Sequence, residues 1–304
     1  MTLTVVGSIN LDHVIRVAQF PRPGETVIGQ DYHIIAGGKG ANQAVAAARA
    51  GAHTRFIACV GEDAEAPALI TGFANDGIDT ESIERIKGVN TGVALIQVNQ
   101  AGENTIALAA GANAHLTPEQ LANYPLTPDC HQLLLQLEIP LATNIAAAKN
   151  AKLLGATVVL NPAPAKALPA SLLALVDIIT PNETEAEQLT GIKVSDASSA
   201  AAAAEHLHTQ GIATVLITLG AKGVWLSEQG SSGQLVPSFV VNAVDSTAAG
   251  DTFNGALLAA LASAHSLLEA VRFAQAAAAL SVTRRGAQTS IPYYDEIISF
   301  WESV

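Results

Sequence analysis

The chain has 304 residues, 49% of them apolar and only 4% aromatic, and carries a formal net charge of −12. That length suits one large α/β domain, or a domain with a small appendage, and the composition excludes wholesale disorder. An acidic chain without a Lys/Arg run repels a phosphate backbone, which argues against nucleic acid as a partner. Small phosphorylated ligands stay open, because backbone N–H groups and a cation hold those locally.

The two cysteines, Cys59 and Cys130, stand alone in apolar stretches and form no C-x-x-C pair. They read as small buried side chains in a reducing compartment, not as a disulfide or a zinc site. The opening MTLTVVGSIN enters a strand-like run with no basic and then apolar leader. No uninterrupted apolar stretch reaches membrane-spanning length, so the expected location is cytoplasmic.

In chain order, Leu3–Val6 is the first strand, and Gly7-Ser-Ile-Asn10-Leu-Asp12 follows it. Polar residues at the carboxyl end of a parallel strand are placed for ligand contact, and a plain turn cap is the alternative. Glu25–Ile35 alternates as an edge or paired strand. Ala36-Gly-Gly-Lys-Gly-Ala-Asn42 then opens the helix NQAVAAARAG. The Walker spacing G-x-x-x-x-G-K-[ST] is absent, so a P-loop reading fails. The glycines allow close backbone approach and Lys39 and Asn42 offer donors, though a simple strand-to-helix turn would look the same.

After a strand at Arg55–Val60, Thr91–Leu108 reads as a hairpin around the turn N-Q-A-G-E-N. Segments at about 10–36 and 91–110 fit either a small lid sheet that excludes water or edge strands of the main sheet. From Gln132 onward, short apolar strands (Gln132–Leu137, Thr157–Leu160, Asp177–Thr180, Thr214–Thr218, Gly223–Leu226) alternate with helices (Leu141–Leu154, Glu183–Thr190, Ala197–Thr209). That rhythm predicts βαβ units and a doubly wound, mostly parallel sheet flanked by helices, in a single domain over 1–304.

Thr180-Pro-Asn182-Glu-Thr-Glu185 combines a strand end with a capping-box spacing, and its carboxylate would equally suit water-mediated magnesium. His206 and His208, at i and i+2, point to different faces of their helix and read as surface residues. The run LVPSFVVNAV, residues 235–244, reads as a strand leading into Asp245-Ser-Thr-Ala-Ala-Gly-Asp-Thr-Phe-Asn-Gly and a long helix. A small-residue turn there leaves N–H groups free at a helix N-terminus, where the dipole favours an anion. Asp251 is either a helix cap or a base beside that nest, where it would take a proton while the N–H groups steady phosphoryl oxygens. Carbonyls of the loop Thr283–Ser290 offer cation ligands. No H-E-x-x-H, G-x-S-x-G or early G-x-G-x-x-G occurs, which weakens metalloprotease, hydrolase and dinucleotide readings.

Together, GSINLDHV, AGGKGANQAV, TGVALIQVN, QLE, NPAPA, DIITPNETEAE, ITLGAKGVW, AAGDTFNGAL and TRRGAQ resemble, in order and spacing, the ribokinase-type (pfkB) carbohydrate kinase family along the whole chain. The resemblance implies a ribokinase-like fold whose β-sheet lid forms a homodimer contact. It implies ATP-dependent phosphorylation of D-ribose at the 5-hydroxyl, with Asn10, Asp12, Gly38, Lys39, Asn42 and Glu138 holding the sugar. Asp251 would be the base, with an anion hole at Ala249, Gly250 and Asp251. ATP would lie along Thr218, Leu219, Gly220, Ala221, Lys222 and Gly223, with Asn182 near its phosphates, Gly250 at the γ-phosphate and Gln275 beside the adenine. Glu185 would order magnesium and its waters. Potassium would sit in the loops of Asp245, Thr247, Ser281, Arg284, Gly286 and Ser290. Gln275 stands where the family commonly has His, and Thr247 where it commonly has Ile. Another sugar or a nucleoside as acceptor, or a non-catalytic sugar-binding protein of the same fold, are the competing readings.

Overall fold

The computed structural model describes residues 2–303. Strand β1 (Thr2–Val6) leads through β2 (Asn10–Arg16) and β3 (Tyr32–Gly37) to helix α1 (Lys39–Arg49). Next come β4 (His53–Val60), α2 (Ala66–Asn75), β5 (Ile83–Arg85), β6 (Gly92–Val98), β7 (Asn104–Ala109) and the short α3 (Pro118–Leu121). The second half runs β8 (Cys130–Leu135), α4 (Leu141–Leu153), β9 (Thr157–Leu160), α5 (Ala170–Leu173), β10 (Ile178–Ile179), α6 (Glu183–Thr190), α7 (Ala197–Thr209) and β11 (Thr214–Thr218). It closes with β12 (Val224–Glu228), β13 (Gln234–Val236), α8 (Ala249–Ala262), α9 (Leu267–Ser281) and α10 (Tyr294–Glu302).

Nine strands form the main sheet in the order β13-β12-β11-β10-β9-β8-β1-β4-β5. It is parallel from β11 to β5, and β12 and β13 add an antiparallel edge. The edge reverses direction because β11 and β12 are joined by a tight turn, closed by Leu219 N–H on Gly223 O at 2.8 Å, too short for a crossover. Strand alternation feeds two separate cores. Leu3, Val5, Phe56, Ala58 and Leu134 pack on one side with α1, α8 and α9, while Val6, Ile57, Cys59, Leu133 and Leu135 pack on the other with α4 and α7. Burial on both faces explains the nearly continuous apolar runs of these strands.

The second sheet has four strands in the order β3-β2-β6-β7. It is a lid rather than an extension of the main sheet. Only the roots of its strands are buried, and β7 is exposed along its whole length.

Asn10 and Asp12 lie within β2, at the lid root, inside the segment of about 10–36 considered for a lid; the plain turn cap is not what forms. Three expectations need correction. The strand expected over Glu25–Ile35 is confined to its end, at Tyr32. The strand expected over 235–244 stops at Val236, because Pro237 has no N–H to continue the ladder. His208 is buried, with its ring nitrogens on Ile212 O and Ser227 Oγ at 2.8 Å each; His206 is exposed.

Candidate active site

The chain leaves β1 toward β4 on one side of the sheet and later returns to place β8 on the other. Strand order therefore reverses at β1/β8, and ligands of such sheets bind beyond the carboxyl ends at that point. Ser8, just after β1, donates to Glu138 Oε2 at 2.6 Å, just after β8, and the Lys39 N–H donates to the same oxygen at 3.0 Å. The start of α1 is thereby tied to the switch point.

Helix α8 meets α1 here with unusual intimacy. A Cβ at Gly255 would come within 2.5 Å of Ala46 Cβ and 2.6 Å of Gln43 O, so only glycine permits this approach. The approach brings Asn42 Nδ2 to 3.0 Å from Asp251 Oδ2, and Gln43 Nε2 to 2.9 Å from Asp251 Oδ1. The cap alternative for Asp251 fails: Ala248 occupies the N-cap with φ 60, and both Asp251 oxygens accept from α1. Donors of this kind favour a carboxylate, and a hydrogen bond to a charged group is worth about 1.5–3 kcal/mol.

Burial pushes the Asp251 carboxyl up, with Glu138 adding to the effect, while Lys39 and the Asn42 and Gln43 amides pull it down. Asp12 is raised to about 7 by burial, then by Glu138 and Asp251, against Lys39. For Lys39, burial works toward the neutral amine, but Asp251, Glu138, Glu185 and Asp12 outweigh it and raise the ammonium. Lys39 thus faces four carboxylates, one of which, Glu138, also feels Lys166.

A cleft of about 200 Å³ opens over these groups, lined by Lys39, Asn161, Thr180, Asn182, Glu185, Thr218, Ala249, Gly250, Asp251 and Asn254 among others. The N–H groups of Gly250 and Asp251 find no acceptor in the described chain, whereas that of Ala249 turns to Ser246 O at 3.2 Å. A Cβ at Gly250 would meet nothing within 4 Å, so the glycine bares the helix end rather than easing packing. A larger hollow of about 330 Å³ lies elsewhere, around Arg49 and Tyr293. Its guanidinium is already spent on Asp76 and the carbonyls of Gln288 and Ile291, whereas the first cleft gathers an ammonium, two carboxylates and the bare start of α8.

The lid contributes Asn10 and Asp12 over this floor. Gly37 and Gly92 make room for them: a Cβ at Gly37 would fall 2.1 Å from Asp12 Oδ2, and one at Gly92 2.3 Å from Asn10 Oδ1. Asn113 Nδ2 donates to Asn10 Oδ1 at 2.8 Å, which turns the Asn10 NH₂ outward as the free donor. Asn42 Oδ1 is buried with no partner, an acceptor suited to a hydroxyl.

The other expected residues fall into three groups. Asn182 and Glu185 form a reciprocal capping box on α6, and both still line the cleft. Gly220, Ala221 and Lys222 are exposed beside Thr218 in the β11–β12 turn, while Gln275 lies beneath the edge, donating to Val236 O at 2.9 Å. Asp245 accepts from Thr247 N–H and from Gly286 N–H, at 2.9 and 3.0 Å, and these bonds hold its carboxyl below the ordinary value despite burial. Ser281 and Ser290 spend their hydroxyls on Ala278 O and Ala287 O, and the Arg284 side chain pairs with Glu296.

The sequence did not single out Gln43, Asn113, Asn161 or Asn254. Each is a buried amide inside an otherwise apolar or small-residue run, and Asn161 stands at the carboxyl end of β9, the same station that drew attention to Asn182.

A carboxylate held at the free N-terminus of a helix, with an ammonium and unused N–H donors around it, suits transfer of a phosphoryl group to an alcohol, and the chain's relatives are phosphotransferases with an alcohol group as acceptor. The chain is a member of the pfkB family of carbohydrate kinases, whose profile matches residues 2–293. It is 54% identical to a ribokinase of Haemophilus influenzae, across 99% of this chain and 98% of that one. It is 37% identical to a deoxyribokinase of Salmonella typhimurium, across 97% of each. The fold matches the Arabidopsis thaliana ribokinase solved with ribose and ATP with a TM-score of 0.90 at 32% identity, covering 99% of this chain and 98% of that one.

Proposed function

We propose that this kinase transfers the γ-phosphate of ATP to the 5-hydroxyl of D-ribose, with Asp251 as general base. The observation that carries the reading is the seam between α1 and α8, where one buried carboxylate faces a cleft beside two free N–H groups. Ribose would sit between the lid root and the floor, met by Asn10, Asp12, Gly38, Lys39, Asn42 and Glu138. Asp251 takes the proton of the attacking hydroxyl, and the N–H groups of Gly250 and Asp251, joined by that of Ala249 if it leaves Ser246, receive the charge that builds on the transferred phosphoryl oxygens. Phosphoryl transfer asks for positioning and charge stabilisation more than covalent chemistry, and this floor holds its carboxylate by buried hydrogen bonds.

ATP would lie along Thr218–Gly223 with Asn182 at its phosphates and its adenine toward Gln275. Among the described residues no group of three or more His, Cys, Asp and Glu side chains is placed to hold a metal ion. Magnesium would therefore be held mainly by nucleotide oxygens and water, with Glu185 ordering that water, and would neutralise phosphate charge. The Asp245–Gly286 loops offer an ionised carboxylate and backbone carbonyls, an all-oxygen set that fits potassium. The ion would shape the neighbouring helix end without touching substrate.

Among the described residues no helix is long and apolar enough to cross a membrane. Both cysteines are free and buried, which suits a cytoplasmic setting. The lid exposes Tyr32, Ile34, Leu95, Ile106 and Leu108, apolar surface that a homodimer would cover.

The test is ADP release from Mg-ATP with ribose, 2-deoxyribose, fructose and adenosine, with and without potassium. Selective turnover of ribose, raised by potassium, is the expected result. Preference for 2-deoxyribose would move the chain toward its deoxyribokinase relative, and no turnover with any acceptor would overturn the reading.

A further inference from the structure

Helix α1 carries two successive amides at the cleft floor, and only the first belongs to the expected sugar site. Gln43 is fully buried and does not line the cleft, yet both of its polar atoms are bonded. Its Nε2 donates to Asp251 Oδ1 at 2.9 Å and to Asn161 Oδ1 at 3.0 Å, and its Oε1 accepts from Gln136 Nε2 at 2.7 Å.

The direction of this relay is fixed from outside. Asn161 gives its own Nδ2 to the Thr180 carbonyl at 3.1 Å, so only its oxygen can face Gln43. Gln136 is seated over Gly7, where a Cβ would come 2.1 Å from its Oε1, and that oxygen has no partner among the described residues, so Asp251 and Asn161 are what orient Gln43. A reversed Gln43 amide would set oxygen against the oxygens of both Asp251 and Asn161, and it would face the Gln136 donor with a second donor.

The geometry points to Gln43 as a positioning residue for Asp251: it clamps Oδ1 as an obligate acceptor and leaves Oδ2, shared with Asn42, to take the substrate proton. The inference rests on Asp251 being the base. A clamp of this kind does two things at once. It fixes the plane of the carboxylate, and it favours the ionised form in a site where burial works against it.

Gln43→Met keeps the side-chain length and removes the donor. Because the base must be ionised, turnover falls as pH falls through its pKa, and losing the donor moves that acid limb of kcat to higher pH, by about one unit. On that acid limb kcat falls roughly tenfold at a given pH, while KM for the sugar changes less than about threefold, since Gln43 does not reach the cleft. Gln43→Glu sets a second carboxyl against Asp251 and moves the limb further. Gln136→Leu, one bond removed from Asp251, moves it in the same direction by less.

An acid limb that stays with the parent in all three folded variants, whatever their melting temperatures, overturns the positioning role. So does a rise in KM alone. Asp251→Asn separates this from the parent reading: if that variant keeps turnover, the base assignment fails; if it is inactive and the limb is unmoved in the Gln43 variants, only the clamp fails.

Discussion

The α1–α8 seam and the lid meet over the same cleft but are built on opposite rules. The seam is made of small residues packed against one another, with Gly255 against Ala46 and Ala47, and the Asn42 and Gln43 amides are buried there with both Asp251 oxygens bonded to them. The lid is a four-stranded sheet with apolar side chains in the open, joined to the main body through the strand roots near Ser8, Gly38 and Thr91. A close-packed seam resists displacement, and a sheet with few buried contacts opens at low cost. The proposed function divides accordingly: chemistry that depends on sub-ångström placement falls to the first, and capture of the acceptor to the second. Substitutions should therefore separate: seam changes act on stability and kcat, lid changes on sugar affinity and assembly.

The largest expected effect is at Gly255. Gly255→Val forces the two helices apart, costing roughly 1–3 kcal/mol of stability by overpacking and lowering kcat by pulling Asn42 and Gln43 from Asp251. Denaturant unfolding and turnover measure the two losses together; a variant that lost stability alone would loosen the link between seam and chemistry. Gly37→Ala acts on the lid instead. The added methyl displaces the Asp12 carboxylate, so sugar affinity falls at least about tenfold by titration calorimetry while the unfolding midpoint hardly moves.

A smaller effect concerns pH. Asp12 is raised from its ordinary 3.8 to about 7 in the fold. Between those values the native protein holds a proton that the unfolded chain has released, so this group's contribution to stability is lost as pH rises from about 4 through 7. Asp12→Asn should flatten that slope in thermal unfolding of the ligand-free protein, and an unchanged slope would reassign it. The mildest effect is expected from Leu95→Asp and Ile106→Asp. Strand register puts these on opposite faces of the lid; for the proposed dimer, light scattering should show one of them giving monomers with the main body's melting unchanged, and a parent protein that is itself monomeric would remove the dimer.

Much of this division was legible in the residues. Apolar strands alternating with helices announce a two-faced parallel sheet, and the polar alternation of 91–108 separates the lid hairpin from it. The strand holding Asn10 and Asp12 was harder to see, because its pairing partners are Gly37, more than twenty residues on, and Gly92, more than eighty. The stretch after Pro237 carries the residues of a strand, but no neighbour remains for it at the sheet edge. Within the site, Asp251 and the helix end stand out from local pattern alone. The amides that orient it do not, since Gln43, Asn161 and Gln136 come from three separate elements and acquire meaning only once α1 packs between α8 and the strand ends.

The measurement closest to the central claim is Asp251→Asn, which keeps the shape of the seam and removes the base. The single-turnover rate with ribose and Mg-ATP should fall by about 10³, within the range general-base catalysis supplies, while ribose binding by calorimetry stays within a few fold of the parent. Turnover near the parental rate would contradict the assignment of Asp251 and, with it, the division of labour between seam and lid.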